Sequence, residues 1–337
     1  MNQYYHTKCL SRQALIFILI TTFLLLSSCR FVPSNSSFSD TGFYYDTVIT
    51  ITLYDCSSQE QAQSILDDCM NLAGHYEQLL SPSIEGSDIW NINHSNGDPV
   101  IVAQDTTTLI LRALDYAQMS NGVVDPTIGT LSQLWNFGSN NQKIVPEDFQ
   151  IQDALSHVDY HSLQVKGNEI ILSDPQAQLE LGFIAKGFIA DKLKELLISE
   201  GITSAIINLG GNVVTVGSKS DGSPFRIGIQ DPFSQTGASS VQVDSSDSSV
   251  VSSGNYERFF EQDGKRYHHI LSTENGYPAD TGLAQITIMS DESTNCDALS
   301  TLCFLLGYEK SALLLEDHPN VKAIFITEDG EILYINF

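Results

Sequence analysis

Positive charge is scarce in this chain. Only 16 of 337 residues are Lys or Arg against 41 Asp or Glu, a formal net charge of -25. A nucleic-acid binder needs a basic face to displace phosphate counterions, so no nucleic-acid partner is expected. A phosphate, if held, must be held locally, with backbone dipoles and a metal cation supplying what side-chain charge does not. The Gly-x-Ser-x-Gly elbow, the P-loop and the dinucleotide fingerprint are all missing, which removes the commonest hydrolase and nucleotide signatures. No short-period repeat is visible, so solenoids and propellers are excluded.

Cysteine is sparse and unpatterned. Neither CxxC nor Cys/His spacing occurs, which argues against zinc. Cys296 and Cys303 lie on a predicted helix roughly 10 Å apart by helical rise, beyond disulfide reach. Most of Cys56, Cys69, Cys296 and Cys303 are read as small buried hydrophobes.

With 42% hydrophobic residues, the chain has the composition of a globular protein. Its first segment is set apart from that fold. Lys8 and Arg12 precede an apolar run from Ala14 to Leu26, short for a membrane span and suited to a signal-peptide core, with an uncleaved anchor as the alternative. The run closes on Leu26-Ser27-Ser28-Cys29, which resembles a bacterial lipobox. That implies a signal peptide over 1–28, lipidation of Cys29 with palmitate-type chains, and a lipid-anchored protein on the extracytoplasmic side of the cell membrane. Residues 29–40 are Ser-rich and read as a tether, leaving 41–337 as the folded domain.

Alternating or branched runs predict strands at Val48–Tyr54, Val100–Ala103, Ile170–Ser173, Ala205–Leu209, Val213–Gly217, Arg226–Gln230, Ile286–Met289, Ala323–Thr327 and Ile332–Phe337. Helical periodicity appears at 58–80, 106–119, 187–200, 295–307 and 309–316, and 233–248 reads as a Ser/Asp-rich loop. The alternation is α+β, in one continuous unit or two subdomains.

Lys186 and Gly187 open the 187–200 helix, which Gly201 closes. A cation there opposes the helix dipole, and makes sense if it and the free N–H groups face a bound anion; a solvated surface lysine is the alternative. Asp297 and Thr301, four apart, project from one helix face as a half-site for a hard cation such as magnesium. Thr294 with Asp297 reads equally as a capping arrangement. Gly210-Gly211 is a hairpin turn that also allows close backbone approach. Asp125, after Gly122-Val123-Val124, opens a turn. Of His268 and His269 in a strand-like run, one faces away from the other, and either is a candidate base.

Six segments in this order resemble the ApbE family of FAD:protein FMN transferases: LSPSIEGSDIWNIN, GVVDPTIGTLSQLWNFG, LELGFIAKGFIADKL, IINLGGNVVTVGSKSDGSPFRIGIQDP, SSGNYERFFEQDGKRYHHI and NCDALSTLCFLLG. The resemblance implies an ApbE-like fold of mixed or antiparallel sheets with packed helices, with T-fold-like subdomains if there are two. It implies an enzyme that takes FAD as substrate with Mg2+ as cofactor, and joins FMN by a phosphoester to a Thr or Ser of an acceptor flavoprotein, releasing AMP. By the same resemblance Asp297, Thr301 and the Phe183 carbonyl hold magnesium, and Lys186 holds the flavin phosphate. Tyr45, Val123, Val124, Asp125, Glu180 and Leu271 contact FAD, and His269 assists proton removal.

This chain departs from the family where HIIDPRTG becomes HILSTENG, with Ser272 for aspartate, and where Ser83 stands for a stacking aromatic, so that Tyr44 or Tyr45 would stack instead. No flavinylation motif occurs in the chain itself, so the modified protein is another one. A magnesium-dependent FAD pyrophosphatase and a non-catalytic flavin-binding lipoprotein are the other readings.

Overall fold

The computed structural model describes residues 37–138 and 144–337; the signal segment and Cys29 lie outside the described residues. In chain order come β1 (Phe38–Tyr44), β2 (Thr47–Leu53), α1 (Gln59–Leu80), α2 (Asp88–Asn93), β3 (Val100–Ile101), α3 (Gln104–Met119), α4 (Gly129–Trp135), α5 (Asp148–Leu155), β4 (Leu163–Lys166) and β5 (Glu169–Leu172). Then follow α6 (Ala185–Ser199), β6 (Ser204–Leu209), β7 (Asn212–Gly217), β8 (Phe225–Gln230), β9 (Ser239–Ser245), β10 (Ser249–Gly254), β11 (Phe259–Gln262), β12 (Lys265–His268), β13 (Leu283–Ser290), α7 (Ser293–Glu316), β14 (Lys322–Thr327) and β15 (Ile332–Ile335). The fold is α+β, as expected.

Eight strands form one sheet in the order β1-β2-β6-β7-β10-β13-β14-β15, antiparallel at every step. Long helices cover one face. In α1, Ile65, Leu66, Cys69, Met70, Ala73 and Tyr76 are buried at helical spacing, and the Ser58 hydroxyl accepts from Gln61 N–H to cap the first turn. In α6, Ile189, Leu193 and Leu197 are buried, and Gly201, at φ 81°, follows the last turn. The predicted break between 307 and 309 is Gly307, whose φ of 75° interrupts α7.

The other face of the sheet is covered by the β8–β9 ribbon. Phe225, Ile227, Ile229 and Val243 pack there on Val250, Met289 and Ile324. The expected loop at 233–248 is thus partly strand, because Val241 and Val243 alternate with polar residues and pair with Ile229 and Ile227. The expected tether also ends early. β1 begins at Phe38, since FSDTGFY is an edge strand whose hydroxyls pair outward, Ser39 with Thr52 and Thr41 with Thr50. A satellite cluster joins Leu131 and Trp135 of α4, Ile151 of α5, Phe260 of β11 and Leu271.

Candidate active site

The first turns of α6 and α7 meet, and the sequence allows it by placing glycine at the crossing. A Cβ at Gly187 would fall on the Ser293 carbonyl oxygen and lie 2.7 Å from Cβ of Asp297. Each helix caps the other. Asp297 Oδ2 of α7 accepts from Gly187 N–H of α6 at 2.8 Å, while Asp191 of α6 accepts from the N–H groups of Ser293 and Thr294 at 2.8 Å and from the Thr294 hydroxyl at 2.6 Å. The capping role considered for Asp297 exists, but on the neighbouring helix; Thr294 bonds Asp191.

Asp297 is only 2% exposed. Burial raises its carboxyl pKa, against the lowering effect of the Lys186 ammonium and the α6 N–H groups. Lys186 Nζ lies 3.8 Å from Asp297 Oδ1. The lysine is therefore not a freely solvated surface group. Because Gly187 N–H is given to Asp297, the Phe183 carbonyl has no hydrogen-bond donor among the described residues, nor has the Thr301 hydroxyl a partner. Two free oxygens beside a buried carboxylate form an oxygen-rich set suited to a hard cation.

A cleft of about 1470 Å³ opens over this crossing. Tyr45, Val123, Val124, Asp125, Glu180, Phe183, Lys186, His269, Leu271 and Thr301 all line it. Asp297 is not on the wall; it is buried behind Lys186. Asp125 is tied up by the protein: Oδ1 accepts from Thr127 N–H at 2.8 Å and Thr127 Oγ1 at 2.7 Å, and Oδ2 from Tyr160 N–H at 2.8 Å. Its carboxylate builds the turn that presents Val123 and Val124. The alternation resolves the histidines. His268 is buried with Nε2 2.9 Å from the Ala279 carbonyl, and His269 faces the cleft.

His269 is walled in, and burial together with the charges of Arg258, Lys186 and His268 pulls its pKa down to about 3. Its Nδ1 is buried without a hydrogen-bond partner. Glu257, which sequence reasoning passed over, lines the same cleft. Its side chain is solvent-exposed in the cleft, with protein crowded around its base. That crowding, partly offset by Lys186 and Arg258 and reinforced by Asp297, pushes its pKa up to about 7. Its neighbourhood was legible only in the SSGNYERFF segment as a whole.

Tyr45 and Asp46 form the β1–β2 turn with φ of 55° and 56°, a conformation that costs a bulky residue strain. The turn is pinned by Tyr45 N–H to Glu77 at 2.7 Å, Tyr45 OH to the Ala73 carbonyl at 3.0 Å and Arg258 to the Tyr45 carbonyl at 3.3 Å. Tyr44 packs instead against Gly42, Gly74 and Met70 and is not on the cleft wall, so of the two stacking candidates only Tyr45 is placed to meet a ligand.

The ApbE family model matches residues 45–325. The chain belongs to the ApbE family. A curated FAD:protein FMN transferase of Treponema pallidum (strain Nichols) is 33% identical over 333 residues, covering 94% of this chain and 92% of its own. One from Klebsiella pneumoniae (strain 342) is 35% identical over 274 residues, covering 80% and 84%. Among solved structures, the ApbE protein of Thermotoga maritima superposes with a TM-score of 0.81 at 28% identity, covering 88% of this chain and 96% of that one. The flavin transferase ApbE of Vibrio cholerae gives 0.78 at 26%, covering 89% and 96%. The chain is an enzyme of the transferase class.

The departure from the ApbE pattern after His269 leaves an ordered loop. Ser272 Oγ accepts from Glu274 N–H at 3.2 Å, a turn-closing bond of the kind aspartate also makes. Ser272 N–H donates to the Tyr277 carbonyl at 2.8 Å, and Trp135 Nε1 to the Gly276 carbonyl at 2.8 Å. Thr273 Oγ1 donates to the Gly122 carbonyl at 2.7 Å, fastening this loop to the Val123–Val124 turn.

Proposed function

We propose that this ApbE-family protein is a magnesium-dependent FAD:protein FMN transferase that releases AMP and leaves FMN on a Thr or Ser of an acceptor flavoprotein through a phosphoester. The observation that carries this reading is Lys186 at the joined N-termini of α6 and α7, beside Asp297 and on the floor of a cleft large enough for a dinucleotide. The curated relatives are named FAD:protein FMN transferases, which supports the transfer of FMN from FAD to a protein.

The chemistry follows from charge. Helix N-termini and a lysine favour anionic oxygens, so the flavin-side phosphate belongs at Lys186 and the first turn of α6. Asp297, Thr301 and the Phe183 carbonyl would hold a magnesium ion, whose contribution is to neutralise phosphate oxygens during cleavage. The Val123–Val124 turn, Glu180, Leu271 and Tyr45 line the space left for the rest of the dinucleotide. His269 is a wall group able to exchange a proton with an attacking hydroxyl.

The test is incubation with FAD, Mg2+ and an acceptor flavoprotein bearing the flavinylation motif, following AMP release and flavin fluorescence of the acceptor on a denaturing gel. AMP together with a fluorescent acceptor supports the transferase. AMP without acceptor labelling makes the protein an FAD pyrophosphatase, and FAD binding without AMP makes it a flavin-binding lipoprotein. We further propose that Cys29 is lipidated and holds the domain on the extracytoplasmic face of the cell membrane.

A further inference from the structure

The cleft reaches past the helix ends onto the opposite face of the large sheet. Ile49 and Ile51 of β2 are buried beneath the helices, so Val48 and Thr50, which alternate with them, face the other way. Both line the cleft, as do Asn208 of β6 and Val213 of β7 on the same side. None of the residues assigned above to the metal or to FAD lies in this arm. The whole space, about 1470 Å³, also exceeds the ~300–1,000 Å³ usual for a small-molecule site.

Beside this arm runs β8. The ribbon that covers the outer face is two strands wide on a sheet of eight, and β8 is its cleft-side edge: Ile227, Gly228, Ile229 and Gln230 line the cleft, while no residue of β9 does. Among the described residues the backbone of β8 bonds only to β9, so alternate N–H and C=O groups point along the open edge. Open edges are usually guarded by charge or proline. From Ile227 to Gln230 there is neither, and Gly228 is exposed with no side chain to screen its backbone.

The direction of β8 leads to the phosphate site. Its first residue, Phe225, lies 5.3 Å ring to ring from Tyr54, just beyond the end of β2. From there the strand runs back toward the Thr47 end of β2, where Thr47 and the Gly210–Gly211 turn border the cleft. A third ribbon strand laid beside β8 at the ~4.8 Å spacing of a sheet would cover Thr50, Asn208 and Val213. Val48 and Phe233, 53% and 58% exposed, are apolar surface on the same walls that such a strand would shelter. In a chain with 41 acidic residues, none of these positions is charged. The groove therefore suits an uncharged segment, because a charge buried there would have no partner.

We propose that this groove binds the acceptor flavoprotein: an extended, uncharged segment next to its Thr or Ser adds to β8 as a third strand and carries the hydroxyl to the phosphate at Lys186. Main-chain hydrogen bonds to β8 set the register of the segment, and the Val48–Thr50 face reads alternate side chains.

This inference rests on the transferase reading, and the two fail differently. Acceptor KM, kcat and FAD affinity are measured for wild type, Thr50→Arg and Thr50→Glu, with Thr52→Arg and Thr52→Glu as controls on the same face of β2 but outside the cleft. Expected for both Thr50 variants is a rise in acceptor KM of about tenfold or more, since either charge is buried unpaired under the added strand. FAD affinity and kcat stay near wild type, and the Thr52 variants behave as wild type. Hydrogen exchange of the enzyme with FAD is then compared with and without an acceptor whose target Thr or Ser is replaced by Ala, so that it binds without turnover. Slowed exchange over residues 225–230 is expected. Unchanged KM in the Thr50 variants, a rise for one sign of charge only, an equal rise in the Thr52 controls, a parallel loss of FAD affinity, or unaltered exchange in β8 overturns the proposal. A wild type that binds FAD but never labels the acceptor overturns the function itself, a result visible before any variant is made.

Discussion

Asp191 and Asp297 exchange helix caps: each stands in the second turn of one helix and accepts the free N–H groups at the start of the other. The N-terminus of α6, with Lys186, thereby faces the cleft, while the N–H groups that open α7 are taken up by Asp191 behind it. The two carboxylates do similar structural work, but only Asp297 lies beside Lys186.

Their variants should therefore separate stability from ligand binding. Asp191→Ala leaves two N–H groups and a hydroxyl without their acceptor at Ser293 and Thr294, both almost fully buried. A lost cap with buried unpaired donors is expected to cost roughly 2–4 kcal/mol, read as a lower urea midpoint. Asp297→Asn keeps an amide oxygen for Gly187 N–H and should unfold within about 1 kcal/mol of wild type, yet lose Mg2+-dependent FAD binding. An Asp297→Asn protein that binds FAD with undiminished Mg2+ dependence would leave Asp297 a cap alone.

Gly187→Ala tests the close approach itself. The added methyl meets backbone at Ser293 and Cβ of Asp297, neither of which can rotate away. Overpacking at such a contact is expected to cost about 1–3 kcal/mol and to weaken FAD binding together with stability. Unchanged urea unfolding would show that the helices have slack.

The parts of this fold that were legible in the sequence are those with long periodicity. α1, α3, α6 and both halves of α7 were readable because apolar residues recur over several turns, and Gly307 marked the break. α2, α4 and α5, of 6, 7 and 8 residues, are too short for a pattern to accumulate. β9 was hidden by Ser239, Ser240, Gln242 and Asp244 facing water. The cleft-lining residues could be named because their segments occur in family order. What could not be read was partnership across distance: that Asp297 caps α6, that Asp125 is consumed by Thr127 and Tyr160, and that Tyr44 packs on α1. Glu257 was invisible because no local pattern marks a side chain's place on a cleft wall.

Acid should destabilise the protein partly through His269. Its folded pKa of about 3 lies below the unfolded value of 6.5, so the unfolded chain binds more protons at intermediate pH and stability rises with pH. The contribution is complete above about pH 6.5 and is lost as pH falls toward 3. Between pH 7.5 and 5.5, His269→Gln should lose less stability than wild type by about 1 kcal/mol, since one pKa unit corresponds to ~1.4 kcal/mol. Urea midpoints at the two pH values give the comparison, and equal losses in both proteins would contradict it.

Lys186→Ala should weaken FAD binding about tenfold or more, and Lys186→Arg should restore only part. A phosphate held by a compact ammonium beside a buried carboxylate leaves little room for a planar fork. Fluorescence titration at two salt concentrations measures both variants, and the wild-type advantage should shrink at high salt as screening grows. Wild-type affinity in Lys186→Ala would remove the lysine from the phosphate site.

Anchoring through Cys29 would set which acceptors are in reach. Lipidation of Cys29 would supply two acyl chains as diacylglyceryl, enough for stable membrane attachment where a single chain is marginal. From Cys29 to Phe38, the start of β1, the chain can extend at most ~30 Å. A domain held on so short a lead would work close to the bilayer, on acceptors that are themselves membrane-bound or docked there. Cys29→Ala should move the protein from the membrane fraction to the soluble fraction or leave it unprocessed, while the purified domain keeps its activity on a soluble acceptor. Fractionation of cells expressing wild type and variant decides it: a wild type found wholly among soluble exported proteins would show that Cys29 carries no lipid.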